Sequence, residues 1–278
     1  SSTGAGGAGG GVYLRQACHA SLTSNTIQFN TAGYGGGVGL YRAHYTSLIS
    51  NTIQSNQSDG VDMQETTAAA LTGNVILSNT TEGVEIYKGS ATLTANTIQG
   101  NMTGVFIQNS SPTLVGNAIL SNTVGGGVWM NGSSTFGAVY PRLSNNLVQG
   151  NRASACAGIN SQDLSGPTLI GNIIQDNRAE NTYAGSGIGG GLCLFSNVPA
   201  TLQGNLIRRN VASSPDARGG GVYVKTAYWA SAPVHRFINN AIVDNSASYQ
   251  GSGVYVADYA HPTLHFSHNT IARNTGGD

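Results

Sequence analysis

The sequence predicts an all-β fold, a right-handed parallel β-helix of about ten rungs forming a single domain over residues 1–278. Three observations predict it. The phrase N-x-[IV]-x-x-N recurs ten times, from Asn25–Asn30 to Asn269–Asn274. Successive copies stand 21 to 35 residues apart, a period that marks an array with one supersecondary unit per copy. Each unit also holds a Gly-rich turn leading into a short strand with apolar residues at every second position. No unit carries an apolar stripe of helical period, which disfavours helical solenoids.

Each element of the unit has its own signature. The first strand follows the Gly corner, as in Gly37–Leu40, Gly83–Ile86, Gly127–Met130 and Gly221–Val224. Its alternation buries one face. The third apolar site is the L-x-x-N-x-I stretch, as in Leu71, Asn74 and Ile76, which makes two or three short strands per turn in all. Rungs pair at ~4.8 Å, so like residues stack on like. The leading Asn residues Asn25, Asn51, Asn74, Asn96, Asn117, Asn146, Asn172, Asn205, Asn240 and Asn269 then form one column. Asn is expected there because it tolerates left-handed backbone and can pass amide hydrogen bonds between rungs. Gly supplies the other corner, where positive φ or close backbone approach is needed.

Composition narrows the functional classes. Charged residues make up 9% of the chain, with 12 acidic and 12 basic side chains, so no electrostatic footprint for nucleic acid exists. No apolar run reaches membrane-spanning length. Cys18, Cys156 and Cys193 have neither metal-ligand nor C-x-x-C spacing. Aligning the rungs puts Cys193 level with Asn160, four positions beyond Cys156. That offset predicts that the two are too far apart to bridge.

The repeat resembles the right-handed β-helix proteins of the pectate-lyase-like superfamily. The rung Ile207–Val224 also resembles bacterial surface proteins of the polymorphic outer-membrane and adhesin type, which combine an x-x-N element with a Gly-Gly-apolar strand. The likeness covers essentially the whole chain and is specific for fold rather than function. Polygalacturonase-like relatives carry paired Asp residues with Gly-His-Gly and Arg-x-Lys elements, and this sequence has none of these. Pectate-lyase-like relatives use clustered acids for Ca²⁺ and a basic residue as proton acceptor. By residue type alone, Asp62 and Glu85 match the first part and Arg42 or Lys88 the second.

Both ends read as uncapped: the chain starts within a Gly corner and stops just after the tenth Asn pair. Joined end to start, they spell an ordinary rung. The expected partners are therefore copies of the chain stacked head to tail, or flanking segments of a longer array.

Two features of the outer face are candidate sites. The outward columns are rich in aromatics and amides, as saccharide grooves are, with Phe106, Trp129, Tyr223, Tyr255, Tyr41 and Tyr87 as the rings for stacking. Stabilisation of cross-strand neighbours explains the same residues equally well. Asp59 aligns with Glu82 and Asp62 with Glu85, so four carboxyls crowd onto rungs 3 and 4. Simple solvation, a Ca²⁺ site or an acid/base pair would each account for them. Arg42, Glu65 and Lys88 align beside them as an alternating-charge ladder. No other cofactor is expected.

The favoured expectation is an extracellular or cell-surface structural module of a stalk, adhesin or filament, without catalytic residues. The alternative is a protein that binds or degrades polysaccharide along the outer face, as a lyase or glycoside hydrolase. The longest insertions, residues 179–190 and 227–235, bring no carboxylate cluster.

Overall fold

A computed structural model describes residues 9–181, 188–226, 233–257 and 262–276. Most of the two long insertions lies outside the described residues. The chain coils into ten rungs, each contributing one strand to each of three ten-stranded parallel sheets. Rung 1 consists of Val12–Arg15, Ser21–Thr23 and Thr26–Gln28, and rung 10 of Val254–Val256, Thr263–Ser267 and Thr270–Ala272. A short fourth sheet of five strands, from Arg152–Ala153 to Thr275–Gly276, is added along rungs 6 to 10. At the interstrand spacing the ten rungs make a rod of ~45 Å.

The core is a set of stacked columns. The first sheet points Val38, Val61, Val84 and Val105 inward, the second Leu48, Leu71, Leu93 and Leu114, and the third Ile53, Ile76, Ile98 and Ile119, all essentially inaccessible. Registers match like with like, as in Val84 on Val105, Leu93 on Leu114 and Ile98 on Ile119. Burial of such a side chain stabilises by about 1.5–3 kcal/mol, so each interior rung carries its own share of the core. Ser161 interrupts the apolar column and satisfies its hydroxyl on the Ser165 carbonyl at 2.8 Å. The end rungs are more open, with Phe266 44% and Ile271 50% exposed.

Two Asn ladders run the length of the rod, one from each Asn of the repeated phrase. Asn74 donates its backbone N–H and its Nδ2 to Asn96 Oδ1, both at 2.9 Å, and Nδ2 also reaches the Leu48 carbonyl at 2.8 Å. The second ladder repeats the pattern through Asn79 and Asn101. The side-chain amide thus acts as an extra peptide group that continues the sheet hydrogen bonding around a corner.

The expected backbone reason for these Asn residues needs correction. None of them has positive φ; the residue before each does, as at Ser50 (53°), Gly73 (62°) and Ala95 (53°), and at Ser55 (54°), Ser78 (53°) and Gly100 (66°) in the second ladder. The preceding residue makes the left-handed turn, and Asn is selected for its amide alone.

Glycine at the opening of the first strand is required by contact. A Cβ at Gly83 would stand 2.5 Å from Ile98 Cγ2 and 2.8 Å from Asn101 Nδ2. Four residues ahead of the outward column the chain doubles back on itself. A Cβ at Gly219 would lie 2.7 Å from Tyr223 Cβ, and one at Gly251 2.6 Å from Tyr255 Cβ, both with φ above +60°.

In rung 7 this doubled-back position is Cys156, with φ 57°. Cys156 and Cys193 form a disulfide with Cα atoms 5.4 Å apart. The sequence expectation that they could not bridge is therefore wrong, although the register behind it holds: Asn160 does pair with Cys193. An offset of four residues is not a distance here, because the corner folds position 156 over the outward column. Cys18 is free and exposed.

Candidate functional site

Rungs 3 and 4 gather the acids on the outer side of the first sheet. Asp62 and Glu85 are register partners. Asp59 and Asp62 are buried, at 4% and 3% exposure, and Glu82 and Glu85 are half-buried. Asp59 Oδ1 accepts from the Thr81 hydroxyl and from the Glu82 N–H at 3.2 Å. Gln64 Nε2 donates to Asp62 Oδ1 at 2.7 Å.

Burial dominates their titration. It pushes the Asp62 carboxyl up to about 7, with Asp59 and Glu82 adding to the rise and the Gln64 hydrogen bond opposing it. Glu82 rises to about 7 through burial, its hydrogen bond with Asp59 and the charges of Asp59 and Glu85. Glu85 rises to about 7 through burial and then the charges of Asp62 and Asp59. No Arg or Lys is among the groups acting on these three. The ladder expected of Arg42, Glu65 and Lys88 forms only in part. Arg42 Nη2 meets Glu65 Oε2 at 2.7 Å, while Lys88 Nζ lies over the rings of Tyr87 and Phe136, at 4.8 and 3.9 Å.

Asp59, Glu82 and Glu85 present oxygens within 4.8 Å of one another. A hard cation such as Ca²⁺ takes ligands of this chemistry, though it needs six to eight oxygens. Among the described residues, these three form the acidic group able to hold one. Asp62 instead lines a neighbouring cup.

That cup has a volume of about 280 Å³ and is lined by Gly9, Tyr13, Tyr34, Gly39, Leu40, Tyr41, Asp62 and Gln64. Its cause is a missing side chain. Gly39 stands in the outward column between Tyr13 and Asp62. A Cβ there would reach Tyr13 Cδ2 at 3.0 Å. Sequence reasoning named Tyr41 and Asp62 but missed Tyr34 and Gln64 as partners. The lone Gly in a column of larger residues was the available signal.

The other aromatic candidates pack among themselves. Phe106 and Trp129 meet edge to face, with centroids 5.4 Å apart and planes at 76°. Tyr223 is 5% exposed, lying between Phe195 at 5.5 Å and Tyr255 at 5.4 Å. With Cys156, Cys193 and Ala257 it forms a small apolar cluster outside the coil. On rungs 5 to 7, however, four buried polar atoms lack a hydrogen-bond partner: Asn109 Oδ1, Trp129 Nε1, Asn131 Oδ1 and Asn160 Oδ1. Among the described residues no helix is long and apolar enough to cross a membrane.

A model of the right-handed β-helix region matches residues 2–119 and 103–278, and the chain belongs to that family. A search of curated proteins finds no match.

Proposed function

We propose that this member of the right-handed β-helix family is an extracellular structural module, a stiff rod within a surface stalk, adhesin or filament. The observation that carries the proposal is the pair of Asn ladders, which run without a break from Asn25 to Asn269 and from Asn30 to Asn274. Every rung is tied to the next by side chains as well as backbone, and bending would strain both ladders together. Surface location is supported by the Cys156–Cys193 disulfide, a bond that persists mainly in oxidising compartments. In this proposal further rungs, from a second copy or from flanking segments, pack on the end faces where Phe266 and Ile271 stand open.

Electron microscopy and light scattering of the purified chain test the idea. Rods ~5 nm long, or filaments built from them, support it. A compact monomer that depolymerises pectin or a related acidic polysaccharide would overturn it.

A second function, saccharide binding, is favoured by the half-buried Trp129 ring on the outer face, flanked by Phe106 and Asn160 in register, on which a sugar ring can stack. A glycan array followed by Trp129→Phe and Asn160→Ala titrations tests it. Binding that ignores both substitutions, or no binding at all, excludes this face.

A further inference from the structure

We propose that the cup on rungs 1 to 3 binds a small molecule bearing an alkylammonium or quaternary ammonium group. Three phenol rings, those of Tyr13, Tyr34 and Tyr41, form its walls, and Asp62 with Gln64 forms part of its lining.

Size, wall chemistry and charge converge on that ligand class. Removing one outward side chain at Gly39 opens two interstrand spacings, ~9.6 Å, between the Tyr13 and Asp62 backbones. A compact cationic head group fits between them within the cavity of about 280 Å³. Aromatic faces carry partial negative charge and attract cations within ~6 Å of the ring centroid. Tyr41 already receives two of the protein's own cations in this way, with the Arg15 and Arg42 guanidinium carbons 5.8 and 5.1 Å from its centroid.

Asp62 supplies the counter-charge. It is 3% exposed, faces the cup, and is backed by Glu85 on the next rung, with Asp59 and Glu82 beyond. Of the bases on these rungs, Arg15 lies on Tyr41 and Arg42 is paired with Glu65. An incoming ammonium ion meets the Asp62 carboxyl, whose Oδ1 accepts from Gln64 Nε2 at 2.7 Å.

Competing ligands match the cup less fully. A neutral sugar would stack on the rings and hydrogen-bond Asp62 and Gln64, but would bring no counter-charge to the carboxyl. A bare metal ion would take the Asp59, Glu82 and Glu85 oxygens and leave the phenols idle. The site lies apart from the Trp129 face, so it stands or falls separately from both proposals above.

Isothermal titration of the full chain at pH 8 with choline, tetramethylammonium and butylammonium provides the test. Glucose, galactose and CaCl₂ serve as comparison ligands. The expected result is saturable binding of the ammonium compounds. Tyr34→Ala, at a side chain 56% exposed and so dispensable for folding, should weaken it about tenfold. Asp62→Asn should weaken it at least as much, and Gly39→Leu should abolish it by filling the cup. The proposal is overturned if no ammonium compound binds, if Tyr34→Ala leaves binding unchanged, or if the neutral sugars bind as tightly.

Discussion

Replacing Asn117 by Ala tests whether the ladders hold the rod together. Asn117 stands in the middle of the first ladder at 1% exposure. Its Oδ1 accepts from the Asn96 backbone N–H at 3.0 Å and from Asn96 Nδ2 at 2.9 Å. Its own Nδ2 donates to the Leu93 carbonyl at 2.8 Å and to Asn146 Oδ1 at 2.9 Å. Alanine removes all four bonds. Asn96 Nδ2 keeps the Leu71 carbonyl, and Asn146 Oδ1 keeps the residue 117 N–H. The buried Asn96 N–H loses its acceptor, a loss of about 1–3 kcal/mol. The lost bonds to Leu93 and Asn146 add about 1 kcal/mol each. The expected destabilisation is about 3–5 kcal/mol, read as a fall in the urea midpoint by circular dichroism at unchanged slope. Gln54→Ala is the control, because the Gln54–Gln28 bond of 2.7 Å is the same chemistry on the exposed surface; it should cost less than about 0.5 kcal/mol. If Asn117→Ala costs no more than the Gln54 control, the ladder is ornament and the energetic account of the fold is wrong.

Other perturbations address the remaining features. The Cys156–Cys193 bond closes a loop of 37 residues, so reduction should cost up to about 3.8 kcal/mol. Thiol titration of the unreduced, denatured chain should find Cys18 alone; three reactive thiols would refute the bridge. Ala95 takes φ 53° where the neighbouring rungs have Gly73 and Gly116, so Ala95→Gly should stabilise by about 1 kcal/mol, with an unchanged or lowered melting temperature as the contrary result. The two halves of the rod should respond oppositely to pH. Asp62, Glu82 and Glu85 have folded values raised to about 7. Their contribution is full below the ordinary carboxylate range and is lost as pH rises through 7. Burial lowers His235 to about 4, so its site is stable above about 6.5 and weakens as pH falls toward 4. Hydrogen exchange should therefore show rungs 3 and 4 loosening from pH 5 to 8, and rungs 9 and 10 loosening from pH 7 to 4.5. Identical pH trends at both places would contradict these assignments.

The interior was legible in the sequence because stacking makes it redundant. Each inward column repeats one residue type many times, as Leu48, Leu71, Leu93 and Leu114 do, so the register could be read by eye and the observed pairing agrees with it. Corners were not legible in the same way. Their lengths vary from rung to rung, and sequence offset stops measuring distance where the chain doubles back. That is why Cys156 and Cys193 looked unbridgeable and why Tyr34 was not placed beside Tyr41. The left-handed residue was also misassigned by one position. Asn has two independent reasons to sit at a corner, its backbone tolerance and its amide, and only the structure separates them.

The same redundancy locates where specific chemistry can arise. A ladder position is constrained from both sides, so changing it costs stability without making a new surface. The outward columns have no such repetition, and a single departure alters the shape for two rungs. Gly39 does so by opening a cup between Tyr13 and Asp62. Cys156 does the reverse, closing the corner with a covalent bond to the next rung and seating Tyr223 in an apolar side cluster. Gly189 makes this second device testable. It is the rung 8 counterpart of Cys156, and a Cβ there would collide with Cys193 Sγ. Gly189→Ala should therefore hinder formation of the Cys156–Cys193 bond, so that both of these cysteines, rather than Cys18 alone, are alkylated in the unreduced protein, while both Asn ladders, and so the far-ultraviolet spectrum, stay intact. Loss of the whole fold from that one substitution would show that the corner and the coil are not separable.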